Sequence, residues 1–135
     1  MVYEGDFAVD DRGKVSFVND FAFEGVKRFY VVENHKPSFV RAWHGHKNEG
    51  KYVYAVSGSA IIGVVDLETE EVTRLVLSAD KPQVLWIPPN HANGFRTLTA
   101  DTKIIFFSTA TVEESKNDDI RFPAFKWDVW GVEER

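Results

Sequence analysis

Apolar residues in this chain come in short bursts separated by clusters of Gly, Pro, Asn, Asp and Ser, a pattern that predicts strands and turns. Val26–Glu33 (VKRFYVVE) is rich in β-branched and aromatic residues, and Asn34-His35-Lys36-Pro37 closes it as a turn. Further strands are predicted over Lys14–Val18, Phe39–His46, Lys51–Ser57, Ala60–Leu67, Val72–Leu77, Val84–Ile87, Phe95–Leu98 and Ile104–Thr109. Turn formers fill the gaps at Asp10–Gly13, Ser57-Gly58, Leu67–Glu70, Ser78–Pro82, Pro88–Gly94 and Thr99–Thr102. Asn48-Glu49-Gly50 reads as a polar turn joining two strands as a hairpin, with Glu49 a turn residue. Only Thr111–Asp119 carries a helical turn, with Glu113 and Glu114 near its start. The expectation is an all-β fold, a small antiparallel barrel or sandwich with little helix, as one domain over residues 1–135. The aromatic tail Ile120–Trp130 (IRFPAFKWDVW) is costly to leave in water and should pack on the barrel or on a second subunit.

Composition narrows this picture modestly. With 44% apolar residues and eleven Phe spread along the chain, 135 residues can bury a core. A net charge of −5, with both signs interspersed, argues against a nucleic-acid-binding surface, so an anionic ligand would need a local basic pocket. There is no cysteine, which removes thiol nucleophiles, disulfides and Cys-ligated metals. No apolar run is long enough to span a membrane, and the acidic N-terminus lacks a signal-peptide core. A soluble cytoplasmic protein with no membrane partner is expected.

The densest candidate chemistry lies in Val40–Ala60. His44 and His46 sit at i and i+2 of a predicted strand and so share a face. Two imidazoles aimed into one pocket mean a metal site or acid–base chemistry. Lys51 follows closely and can stabilise an enolate oxygen. Arg12, Arg28 and Arg41 are candidates to hold a diphosphate through bidentate contacts, or else surface charges. Arg41 has the wrong strand parity to face the way His44 does; it needs a bulge or serves the other side of the sheet. Trp43, Trp86, Trp127 and Trp130 read as core packing before base stacking, and Tyr52/Tyr54 as a packing stripe. Asp118-Asp119 reads as a solvated turn, and Asp128 as a weak candidate to orient a histidine.

The His-x-His spacing resembles the first motif of the cupin superfamily, in which two histidines are followed by a glutamate and a glycine. Here Lys51 takes the glutamate's place and Gly58 matches the glycine. Pro88-Pro89-Asn90-His91-Ala92-Asn93 resembles the second motif, with Asn93 where a metal-binding histidine belongs. An ammonium repels a divalent ion and a carboxamide replaces imidazole poorly, so the expectation is a barrel without its metal and without any cofactor. His91 is left open as a shifted ligand.

Over nearly the whole chain the sequence resembles the nucleotide-sugar cupins, the dTDP-4-keto-6-deoxyglucose 3,4-ketoisomerases and dTDP-4-dehydrorhamnose 3,5-epimerases. The resemblance rests on Asp11-Arg12-Gly13, Val26–Tyr30, Arg41–Lys47, Val56–Ser59, Leu85–Pro89 and Asp119-Ile120-Arg121. It implies a cupin-type jelly roll and an enzyme that removes a proton next to a sugar ketone. On this reading His44, His46 and Lys51 are catalytic, while Arg12, Arg28, Arg41, Tyr30 and Asn93 contact a dTDP-hexose. The epimerases use a tyrosine as opposing acid where this chain has Phe106, so the resemblance favours a 3,4-ketoisomerase over a 3,5- or C3-only epimerase. Rival classes are a metal-dependent cupin and a non-catalytic sugar-nucleotide-binding barrel. A homodimer is expected.

Overall fold

The computed structural model describes residues Met1–Arg135. Its elements run β1 (Val2–Glu4), β2 (Asp6–Asp10), β3 (Gly13–Phe17), β4 (Arg28–Val32), β5 (Val40–His46), β6 (Lys51–Ser57) and β7 (Ser59–Asp66). Then come β8 (Val72–Ser78), β9 (Gln83–Ile87), β10 (His91–Thr97), β11 (Lys103–Ser108), α1 (Val112–Lys116) and β12 (Ile120–Arg121). Two five-stranded antiparallel sheets form, in the orders β1-β9-β6-β11-β4 and β12-β5-β10-β7-β8, with β2-β3 as a separate hairpin. The sheets face one another as a jelly-roll-like sandwich, hydrogen-bonded within each sheet but not closed into a continuous barrel. No helix is long and apolar enough to cross a membrane.

Strand β7 shows why this sequence takes this shape. Its run Ala60–Val65 is apolar without alternation, the mark of a strand covered on both faces. Ala60 and Ile62 point between the sheets and pack with Val53, Leu85, Phe95, Ile104 and Phe106. Ile61 and Val65 point outward, where the C-terminal segment covers them with Trp130 beside Trp43 and Ala92. The aromatic tail therefore packs back on its own sandwich. Trp43 and Trp130 both donate their indole N–H to the Ala124 carbonyl (3.1 and 2.8 Å), which makes them core anchors. Trp86 packs on Tyr52, with ring centroids 4.5 Å apart.

Three expectations from the sequence need correction. β1 and β2 fall in a segment without strand signal; β2 is exposed along its length, so no apolar alternation is required of it. β10 begins at His91 and takes in residues expected in the Pro88–Gly94 loop. Most consequentially, β5 and β6 are not a hairpin. β5 lies between β12 and β10, β6 between β9 and β11, so residues 47–50 cross from one sheet to the other. Gly50 is needed at that corner, because a Cβ there would sit 2.2 Å from the Trp86 ring.

Candidate active site

At one open side of the sandwich, inward-facing positions of both sheets line a cavity of about 260 Å³. One sheet contributes Arg28 and Tyr30 from β4, Phe106 from β11 and Lys51 from β6; the other contributes Arg41, His44 and His46 from β5 and Asn93 from β10. Strand register explains the grouping. Asn93 lies opposite His44 on one side, and Arg121 lies opposite His44 on the other. Antiparallel partners share a face, so all three project into the cleft.

Arg41 joins them through a bulge. Between the pairs Asn93–His44 and Phe95–Arg41, β5 spends Ala42 and Trp43 against the single residue Gly94. The extra residue inverts parity, so Arg41 faces the cavity with His44. Gly94 permits this close approach: a Cβ there would lie 2.4 Å from that of Ala42.

His46 is buried and held from behind. Its Nδ1 lies 3.0 Å from the Asp118 carbonyl, which can only accept, so Nδ1 is the donor of that contact and Nε2 is the nitrogen left for the cleft. The Asp118 carboxylate accepts from the Lys47 and Asn48 amides (2.9 and 2.8 Å), pinning the crossing loop to the segment before β12. Asp118 is thus the residue that orients a histidine. Asp128 instead accepts from the Trp130 amide in the tail. Burial lowers the His44 pKa, Arg121 and Lys51 lower it further and Asp119 opposes them, so His44 is neutral at pH 7.

Beneath the histidines lies Glu49, with its side chain 1% exposed. One carboxylate oxygen accepts from Ser108 Oγ (2.8 Å) and lies 3.7 Å from Arg28 Nη2 and 4.0 Å from Lys51 Nζ. The other lies 3.6 Å from His46 Nδ1. Expected as a residue of a polar turn, Glu49 is instead buried by the crossing between the sheets. Lys51 Nζ donates to Asn93 Oδ1 (3.4 Å). Burial pushes Lys51 below the ordinary lysine range, with Glu49 acting in the opposite sense. The Tyr30 ring stacks on Phe106 (centroids 5.0 Å, 9° between planes). Burial first, then the Glu49 charge, hold its phenol well above the usual range, so it stays protonated.

The cleft is cationic in a chain of net charge −5: Arg28, Arg41, Lys51, Lys116 and Arg121 face it, against Asp119 at its edge and buried Glu49. Arg28 lies over the Tyr30 ring (5.0 Å) and donates Nε to the Ala110 carbonyl. Arg41 Nε donates to Asn34 Oδ1 (2.6 Å). Arg12 is not brought here; it lies exposed beside the β2–β3 turn, ion-paired to Asp10. Lys116, Asp119 and Arg121 also line the cleft, which the sequence pattern did not indicate. The triplet Asp119-Ile120-Arg121 was visible as motif, but α1 had to be placed before its charges could be aimed at the cleft.

A cupin metal centre would need several His or carboxylate donors converging, and no group of three His, Cys, Asp or Glu side chains gathers so. Beside His44 and His46 stand an ammonium and a carboxamide, which do not fit a divalent ion. His91 is no shifted ligand: although it lies opposite His46 in the β10–β5 register, it lines a different cavity, with Asp66, Val64 and Leu75. That cavity is larger, about 420 Å³, but its polar lining is Asp66, Glu71, Thr73 and a single imidazole, His91, whose Nε2 lies 4.0 Å from Asp66 Oδ2; it has no paired histidines and no lysine or arginine. Chemistry, not size, marks the His44–Lys51 cleft as the site.

The model of the family described as dTDP-4-dehydrorhamnose 3,5-epimerase matches residues 2–130. SpsL, a spore coat polysaccharide biosynthesis protein of Bacillus subtilis, is 28% identical over 98 residues, which span 68% of this chain and 63% of that protein's length. A dTDP-4-dehydrorhamnose 3,5-epimerase of Salmonella typhimurium is 29% identical over 135 residues, 89% of this chain and 74% of that one. Among solved structures, the 3,4-ketoisomerase QdtA from Thermoanaerobacterium thermosaccharolyticum, in complex with TDP, superposes with a TM-score of 0.75. It is 20% identical, with 93% of this chain and 89% of that one covered, a likeness of fold.

Proposed function

The chain belongs to the dTDP-4-dehydrorhamnose 3,5-epimerase family, a family of dTDP-sugar isomerases, and on that premise we propose that it is a 3,4-ketoisomerase of a dTDP-4-keto-6-deoxyhexose, acting as one domain over residues 1–135. The observation that carries this reading is the pairing of His44 and His46 in one cationic cleft, with Phe106 rather than a phenol on β11. His46, protonated on Nδ1, offers Nε2 as base to the proton on C3 of the sugar. The C3–H electron pair moves into a C3–C4 double bond as the C4 carbonyl becomes an enediolate oxygen. Lys51 stabilises that developing charge. Return of the proton to C4, with transfer of the hydroxyl proton from O3 to O4, leaves a 3-keto sugar. Neutral His44 beside His46 is the second proton carrier. No hydride leaves the sugar, so the reaction itself calls for no redox cofactor.

The cavity is somewhat smaller than the ~300 Å³ at which small-molecule sites usually begin. It suits the hexose, with the diphosphate over Arg28, Arg41, Lys116 and Arg121 at its mouth. The epimerase reading is the alternative, favoured by the family description and by Tyr30. Its protonated hydroxyl sits on the sheet opposite His44 and His46, where a donor for the far face of a sugar would stand. Incubation with dTDP-4-keto-6-deoxyglucose in deuterated water separates the two by carbon NMR. A carbonyl displaced to C3 with deuterium at C4 supports the ketoisomerase. A retained C4 carbonyl with deuterium at C3, or at C3 and C5, replaces it with an epimerase. Neither outcome, with intact substrate, removes both.

A further inference from the structure

Among the buried groups, Glu49 has no part in the proton transfers above, yet it lies within 4.0 Å of Arg28, Lys51 and His46 together. Its contacts to Arg28 (3.7 Å), Lys51 (4.0 Å) and His46 (3.6 Å) all exceed hydrogen-bond length, while Ser108 fixes it at 2.8 Å from outside the cleft. The oxygen facing His46 has no hydrogen-bond partner. A buried carboxylate held this way is a fixed charge rather than half of a closed ion pair. The distance leaves the Lys51 ammonium and the Arg28 guanidinium free to turn their protons toward a ligand.

We propose that Glu49 is a positioning residue of this site, a buried counter-charge that keeps Lys51 cationic beneath the developing enediolate and offsets the positive charge His46 acquires with the sugar proton. The role in catalysis rests on the isomerase reading; the charge relation to Lys51 does not. Lys51 is faced by Glu49 from the crossing loop, Arg28 from β4, Asp119 from the segment before β12, Asn93 from β10 and His44 and His46 from β5. Of these only Glu49 and Asp119 are anionic, and Glu49 has the larger effect on Lys51. Removing its charge leaves Arg28 and Lys51 in mutual repulsion within a buried site.

The test is E49Q, whose amide oxygen still accepts from Ser108. In ligand-free protein, the NMR titration of the Lys51 Cε resonance, assigned by its loss in K51M, should fall by about one pH unit relative to wild type. In turnover, the alkaline limb of kcat should move to lower pH by the same amount, with E49D restoring part of the shift and KM changing little. A Lys51 midpoint unmoved in E49Q overturns the proposal whatever the enzyme's activity. An unmoved alkaline limb in an active E49Q protein overturns its catalytic half. Should E49Q fail to fold, E49D reads the same shift in smaller degree, because its carboxylate is drawn back from Lys51. Failure of the isomerase reading looks different: wild type then shows no turnover, while the Lys51 titration still responds.

Discussion

His46 owes its orientation to a carbonyl 72 residues away in the chain, and that dependence sets what its substitution should do. His46→Asn keeps a side-chain donor toward Asp118 but removes the base, so kcat should fall by about 10²–10⁴-fold with the fold intact by circular dichroism. Lys51→Met should lower kcat by about 10²–10³-fold and also lower stability in urea unfolding, since it leaves the buried Glu49 carboxylate with one cation fewer. His44 gives a pH signature in stability. Its folded pKa lies below its ordinary 6.5, so the unfolded chain binds the proton more readily, and the contribution is present above pH 6.5 and lost as pH falls through the folded value. Urea unfolding should show that decline, and His44→Asn should flatten it. At this scale the sequence was informative where chemistry is written in spacing: His44, His46 and Lys51 could be read directly. Glu49 and Asp118 could not, because a polar residue between two strands looks solvated until the strands prove to lie in different sheets.

The elements matter chiefly as devices that aim side chains. The β5 bulge brings Arg41 into the cleft, and Gly94 makes room for it. Gly94→Ala should push β5 and β10 apart, destabilise the protein by about 1–3 kcal/mol, and raise KM more than it lowers kcat as Arg41 is displaced. Helix α1 is only five residues long, yet it carries a complete capping box: Thr111 accepts from the Glu114 amide and Glu114 reaches back to the Thr111 amide. Lys27, Thr111 and the cap hold the Glu114 carboxyl down to about 2. Thr111→Ala should cost about 1 kcal/mol in chemical denaturation and loosen Lys116 at the cleft mouth. Central strands were legible because packing on two faces demands apolar runs. β1 and β2 were not, since a short edge strand and an exposed hairpin need no such pattern.

For the molecule as a whole, charge and exposure point outward to partners. On the proposed function, a cationic cleft in an acidic protein would draw the substrate's diphosphate locally, so KM for the sugar nucleotide should rise with ionic strength while kcat holds. The outer face of the β4-bearing sheet leaves Phe29 65%, Val31 49% and Val56 52% exposed, and Phe23 packs at the same face against Phe107. Sedimentation equilibrium should report a homodimer, and Phe29→Glu with Val31→Glu should yield monomer if this is the contact face. An all-β barrel or sandwich was foreseeable from strand spacing, the jelly roll from the family resemblance, and the aromatic tail was bound to be covered, by its own sandwich or by a second subunit. The sheet-to-sheet crossing at residues 47–50 was not, because local sequence does not say which sheet a strand joins.

The central claim is that paired imidazoles in a cationic cleft move a proton on a bound ketosugar, and the most direct measurement is solvent deuterium in dTDP-4-keto-6-deoxyglucose followed by NMR. Wild-type protein should place deuterium at the carbon that receives the proton, and His44→Asn/His46→Asn should place none above background. Undiminished incorporation by the double variant, or none by the wild type, would contradict the claim.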